Sequence, residues 1–179
     1  KGENRQWEER KLRMSGHYRD TEELSFEEVT DQEEIKGFQD KFCRATNLFA
    51  YCCSTKGEPL TEISGDKREI ELIRKLVDPE LLKDLTARVA PGTLENIAIE
   101  DLPISYLKLA AVSIEIAGEK MLTWIVAAVL VDASDPEEEE PQIQSHGFST
   151  VTTQDGFYKA LDLLHESGQC ILKNRYRYV

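Results

Sequence analysis

The sequence predicts an α+β domain of the PAS/GAF-like kind, with a five-stranded antiparallel sheet and helices over one face. Two apolar segments, 107–116 and 121–131, flank Ala117-Gly118-Glu119, which is typical of a β-hairpin. Helical periodicity appears in 31–46 and again in 66–90. This order favours one sheet with the two middle helices on one face. The end helices are then expected on the other face, or as helical extensions at both ends.

The first predicted helix covers Asp31–Thr46. Ile35, Phe38 and Phe42 recur along it at helical spacing, and Thr30 with Glu33 has the spacing of a capping box. Asn47 follows, a residue that tolerates the left-handed conformation found at helix ends. The helix is therefore expected to stop there.

A hairpin is predicted next. The apolar and aromatic run Leu48–Ser54 indicates a buried strand, and Lys56–Pro59 has the composition of a turn. Leu60–Ile63 is then the expected return strand. Together with the three later strands, this gives the five strands of the sheet.

Two helices and a first later strand are predicted after the hairpin. The apolar stripe that begins beyond Asp66 continues past Asp78-Pro79, where Asp78 can cap a second helix and Pro79 suits its first turn. Pro91-Gly92 ends this helical region, and Leu94–Glu100 is expected to be a strand.

The last predicted helix lies within Thr153–Leu172. Phe157, Leu161 and Leu164 form its apolar stripe, and Gly168 is expected to weaken its last turn.

Residues 1–29 are predicted to form an N-terminal helical extension or linker, and residues 30–179 the PAS-like domain. Trp7 and Leu12 are the large apolar residues of the opening helix and have no local core. An orphan apolar residue on a polar helix usually meets a partner surface. We therefore expect a homodimer formed through the terminal helices. The chain itself is expected to be cut from a longer polypeptide.

Charge excludes some partners. The chain carries 34 acidic and 22 basic residues, a formal net charge of -12. A phosphate-binding face needs concentrated Lys and Arg, so neither nucleic acid nor an anionic membrane surface is an expected partner. The longest apolar run, Met121–Val131, is too short to span a bilayer.

The four cysteines, Cys43, Cys52, Cys53 and Cys170, contain no C-x-x-C pair. Neighbouring side chains of a strand point to opposite faces, so Cys52 and Cys53 are poorly placed to share one metal ion. We expect free thiols in a reducing compartment, and hence a cytoplasmic protein. No metal or other cofactor is expected.

No conventional active site is apparent. The three histidines lack metal-ligand spacing, and glycine-rich phosphate loops and the G-x-S-x-G motif are absent. A thiol enzyme with Cys53 or Cys43 as nucleophile is one alternative, but no base accompanies either residue in the sequence. The chain is therefore predicted to bind rather than to catalyse.

A ligand pocket is predicted between the sheet and the helices of 66–90. Its expected lining residues are Tyr51, Cys53, Tyr106, Lys108 and Trp124, which would supply aromatic walls and one polar anchor.

Lys108 breaks the alternation of the strand 107–116, because Ser113 and Glu115 have the opposite parity. A bulge could shift the register, Lys108 could precede the strand proper, or its ammonium could point to the covered face.

The segment Ile35–Gly65 resembles the opening of the PocR-type sensory domain, a PAS-like ligand-binding module of bacterial signalling proteins. The matching residues are Phe38-Gln39-Asp40, Phe42, Ala45-Thr46-Asn47-Leu48 and Gly57-Glu58-Pro59-Leu60-Thr61. The hairpin within Lys108–Val131 is similar to the last two strands of such sensors, so the resemblance covers about a third of the chain. That family usually carries cysteines after the first hairpin. Residues 66–93 have none, so no cysteine-dependent property is carried over.

The resemblance implies a small-molecule sensor that is attached to an output domain of a signalling or transcription-regulatory protein. The alternative is a protein-interaction or dimerisation module with a filled core and no pocket. An enclosed cavity containing polar groups would favour the sensor over the module.

Overall fold

The computed structural model describes residues 32–101, 106–131 and 148–176. Within these ranges it has four helices and five strands. The helices are α1 (Gln32–Thr46), α2 (Lys67–Leu76), α3 (Pro79–Arg88) and α4 (Gln154–Tyr176), and the strands are β1 (Phe49–Ser54), β2 (Ile97–Asp101), β3 (Leu107–Ile116), β4 (Glu119–Val131) and β5 (Thr152–Thr153).

The strands form one sheet in the order β1-β4-β3-β2, with antiparallel neighbours. The two-residue β5 adds a short parallel pairing at the end of β4. The predicted α+β fold with a five-stranded sheet is confirmed, and it is consistent with a PAS/GAF-like architecture.

The predicted β3–β4 hairpin is also confirmed. Its turn residues Ala117 and Gly118 have φ of 52° and 84°. Two consecutive residues with positive φ match the twist of the flanking strands.

Helices cover both faces of the sheet. The buried side chains of α1 and α4 pack on one face, together with the Trp124 side of β4. Those of α2 and α3 pack on the opposite face, together with the Ile125 side of β4. The end helix α4 is therefore part of the core, and β3 and β4 are buried on both sides. The predicted N-terminal extension, with Trp7 and Leu12, lies outside the described residues.

The predicted return strand Leu60–Ile63 does not form. Residues 59–64 instead form two isolated bridges with β1, Cys53 with Pro59 and Ala50 with Ser64, and the N–H groups of Leu60 and Thr61 both donate to the carbonyl of Cys52. Between the bridges, the N–H of Cys52 donates to the side chain of Thr61 rather than to a backbone carbonyl. The ladder is interrupted at that point, so the segment remains irregular.

The predicted helix boundaries hold where they depend on local capping. Asn47 has φ of 54° and ends α1. The carboxylates of Asp66 and Asp78 accept from backbone N–H groups at the starts of α2 and α3.

The strand predicted from Leu94 begins only at Ile97, and Leu94 is fully exposed. Lys120 donates to the hydroxyl of Thr93, 2.7 Å away, and to the carbonyl of Glu95. These bonds hold the segment before β2 outside the sheet.

Gly168 has a packing role that periodicity could not show. A Cβ at this buried position would lie 2.7 Å from Cδ1 of Ile114 and 2.8 Å from Cζ3 of Trp124. Both partners are themselves buried. The glycine therefore allows α4 to approach the sheet closely.

We expect Gly168→Ala to lower the free energy of unfolding by about 1–3 kcal/mol, because overpacking outweighs the higher helix propensity of alanine. Gly37→Ala on α1 is the matched control, since a Cβ at Gly37 meets no atom within 4 Å. It should raise stability by about 0.5–1 kcal/mol. Urea unfolding of both variants measures the two effects, and changes of the same sign would refute the close-approach explanation.

Candidate functional site

A cavity of about 190 Å³ lies between the sheet and the helices α2 and α3. The sheet contributes mainly large apolar side chains to its wall: Phe49, Tyr51, Leu109 and Ile125. The helices and the segment before α2 close the other side with Ile63, Ile73, Val77, Pro79 and Leu82. The cavity thus lies where the sequence predicts a ligand pocket, between the sheet and the helices of 66–90.

Tyr51 supplies the hydroxyl group of this cavity. Its side chain is half-buried, and within the described residues its hydroxyl makes no hydrogen bond. Burial, together with the nearby Cys53, raises the pKa of Tyr51 to about 12, so the phenol is protonated at neutral pH. It is therefore available to donate a hydrogen bond to a bound molecule.

Arg74 is the charged residue in the lining. It lies in the last turn of α2, with its guanidinium 3.0 Å from the carboxylate of Glu71. The side chains of both residues are more than half exposed, so this ion pair is open to water and weak. A guanidinium has five N–H donors and can hold a second acceptor at the same time.

The structure divides the five predicted ligand residues between two faces. Tyr51 lines the cavity, and Cys53 and Tyr106 belong to the same core without lining it. Trp124 is buried in the opposite core, under α1 and α4. Lys108 also points to the side of α4. The five residues therefore do not surround one cavity.

Lys108 lies within β3 and is bound on the α4 side of the sheet. Its ammonium donates to the hydroxyl of Tyr158, 2.9 Å away, and lies 5.1 Å from the centroid of that ring. The register shift in β3 occurs further on, between Ile114 and Glu115. The parity break arises because both faces of the sheet are covered, so that neither is a uniformly polar face.

Trp124 takes part in a buried hydrogen-bond network centred on Gln39 of α1. The indole N–H donates to Oε1 of Gln39 at 3.1 Å, and the hydroxyl of Thr61 donates to the same oxygen at 2.9 Å. The amide nitrogen of Gln39 donates to the carbonyl of Glu62 and to the hydroxyl of Ser64. This amide fixes the irregular segment 61–64 against α1 and the sheet.

Glu69 of α2 is a buried carboxylate that sequence reasoning missed. It accepts from the N–H and hydroxyl of Ser149 and from the N–H of Thr150. Burial opposes ionisation, but these hydrogen bonds outweigh it and lower the pKa of Glu69. The carboxylate thus ties α2, a wall of the cavity, to the segment that leads into α4.

A second, polar cleft lies beside α1 and is lined by side chains of both charges. Asp40 there is bound by Lys36 at 2.6 Å and by the hydroxyl of Ser64, which together lower its pKa against the effect of burial. Lys36, Asp40 and Ser64 thus satisfy one another, and the cations Arg44 and Lys67 also line the cleft.

All four cysteines are free thiols, as expected. Burial raises the pKa of Cys43 and of Cys53 to about 12, which leaves almost no thiolate at neutral pH. Among the described residues, no group of His, Cys, Asp and Glu side chains is placed to hold a metal ion. His17 and His146 lie outside those residues.

Comparisons with known proteins identify no relative. No family model matches the chain, and neither a curated protein nor a solved structure is significantly similar to it. The resemblance to PocR-type sensory domains therefore stays a prediction.

Proposed function

We propose that this domain is a small-molecule-binding sensory module whose ligand occupies the cavity beneath α2 and α3. The observation that supports this most directly is the cavity itself, which has apolar walls and is lined by Tyr51, whose hydroxyl has no hydrogen-bond partner among the described residues. An apolar cavity of about 150 Å³ is known to accept a molecule as large as benzene. A cavity of about 190 Å³ is therefore large enough for a compact ligand.

Two small apolar probes, benzene and indole, test the proposal. We expect each to shift the NMR signals of the methyl groups of Ile63, Ile73 and Ile125, which line the cavity. Signals of Ile35 and Ile114, in the opposite core, serve as internal controls and should remain in place. A probe at ten times its Kd should raise the Tm by about 3–5 °C through linkage.

A pair of variants on α3 assigns the effect to the cavity. Leu82→Trp fills the space that Leu82 lines and should abolish the probe-induced shifts. Leu81→Trp places the same ring one residue earlier, outside the lining, and should retain them. If neither benzene nor indole shifts any cavity methyl of the wild-type protein, the binding proposal is wrong.

The homodimer and the cytoplasmic location belong to the same proposal. The proposed contact with a second copy would involve the terminal helix α4, on whose surface Leu163 is about half exposed. The free thiols support a reducing compartment. Within the described residues, no helix combines the length and the apolar character needed to span a bilayer. Light scattering of the full chain measures the oligomeric state directly.

A further inference from the structure

We infer that the ligand of this cavity is a compact monocarboxylate, with an apolar body about the size of one six-membered ring. This inference rests on the proposed binding function and names the chemical class of its ligand. It combines the size and walls of the cavity with the two polar groups in its lining, Tyr51 and Arg74.

The walls limit the body of the ligand. Apart from Tyr51 and Arg74 the lining is aliphatic or aromatic, so it offers too few partners for the several hydroxyl groups of a sugar or for the base edge of a nucleotide. A volume of about 190 Å³ also excludes molecules of nucleotide size. A single ring or a branched alkyl chain fits both the volume and the polarity.

The polar groups determine the other end of the ligand. The phenol of Tyr51 donates a hydrogen bond, and Arg74 donates several while carrying a positive charge. Both groups therefore favour an acceptor, and the guanidinium favours an anionic one that can take two parallel N–H bonds. Because Arg74 is exposed, the carboxylate is expected beside it at the mouth of the cavity, with the apolar body within.

Three probes share one phenyl ring and differ in charge: the isosteric pair benzoate and benzamide, and the cation benzylamine. At pH 7.5 and low salt, we expect benzoate to bind at least about 10-fold more tightly than benzamide, as charge-assisted hydrogen bonds are stronger than neutral ones. Benzylamine should bind most weakly. Affinities are measured by titrating the methyl signals of Ile73 and Ile125 in the full chain.

Variants of α2 test the role of Arg74. Arg74→Gln should weaken benzoate about 10-fold and leave benzamide unchanged, whereas Glu71→Gln should tighten benzoate by freeing the guanidinium. Arg68→Gln is the matched control, because Arg68 lies on the same helix, is highly exposed and does not line the cavity. It should change neither affinity.

The outcomes distinguish this inference from the proposed function. Equal binding of benzoate and benzamide, or an unchanged benzoate affinity in Arg74→Gln, would overturn the carboxylate assignment and leave the cavity as a binding site. If none of the three probes nor benzene and indole shifts a cavity methyl, both conclusions are overturned.

Discussion

Replacing Glu69 with alanine is expected to lower the free energy of unfolding by about 3 kcal/mol, because buried donors lose a charged acceptor. The carboxylate accepts from both the backbone and the side chain of Ser149 and from the backbone of Thr150. Glu71→Ala on the same helix is the control. Glu71 is exposed and pairs only with Arg74, so its loss should cost less than about 0.5 kcal/mol.

The pH dependence of this effect has a definite sign. The folded-state pKa of Glu69 is lowered from its ordinary value of 4.5, so the ionised form is favoured by folding. Its contribution to stability is full above the unfolded-state pKa and is lost as the pH falls through the folded-state pKa. The stability difference between wild type and Glu69→Gln should therefore be constant near pH 7 and shrink below about pH 4.

Urea unfolding of the wild type and the three variants across that pH range measures both effects. If Glu69→Ala lowers the free energy of unfolding no more than Glu71→Ala does, Glu69 does not hold α2 to residues 149–150. A difference that grows toward acid would contradict the lowered pKa. Because α2 also lines the cavity, the hydrogen bonds of Glu69 connect the wall of the site with the segment that leads into α4.

Local signals in the sequence were sufficient for much of the fold. The cap Asp78, the positive-φ positions Asn47 and Gly118, and the apolar strands depend on neighbouring residues. They are encoded over a few positions, so the sequence predicts them well. The location of the cavity followed from the predicted order of elements, since two amphipathic helices must cover one face of the sheet.

The residues that line the site could not be predicted in the same way. Parity assigns strand residues to opposite faces, but it does not say which helices cover each face. In β4, Trp124 and Ile125 are both buried, one in each core. Trp124 thus contacts α1 and α4 rather than the cavity, and its fluorescence is no direct report of a ligand there.

Buried polar residues on helices were equally inaccessible to sequence reasoning. Glu69 and Gln39 occupy ordinary positions in polar helical stretches, and their partners lie between 22 and 85 residues away. Except for Trp124 of β4, those partners belong to irregular segments without a periodic signal. Only the tertiary contact reveals that these two side chains are structural.

Gln39→Leu is expected to lower the free energy of unfolding by about 3 kcal/mol, although it removes no charge and keeps a similar volume. The amide of Gln39 uses its full hydrogen-bonding capacity, two donors and two accepted bonds. Leucine leaves the indole N–H of Trp124 and the carbonyl of Glu62 without this partner. Each buried unsatisfied group costs about 1–3 kcal/mol.

Gln32→Leu makes the same substitution on the exposed start of α1 and should change stability by less than about 0.5 kcal/mol, because water can replace the exposed hydrogen bond from Gln32 to the carbonyl of Leu60. Trp124→Phe and the double variant complete a mutant cycle. In it, the loss from Gln39→Leu should be smaller in the Trp124→Phe background, because the unpaired indole N–H is then absent. Strictly additive losses would show that the indole bond contributes nothing.

A loss below about 1 kcal/mol in Gln39→Leu alone would show that water or relaxed packing replaces the network. In that case segment 61–64 would need a different explanation for its position beside β1.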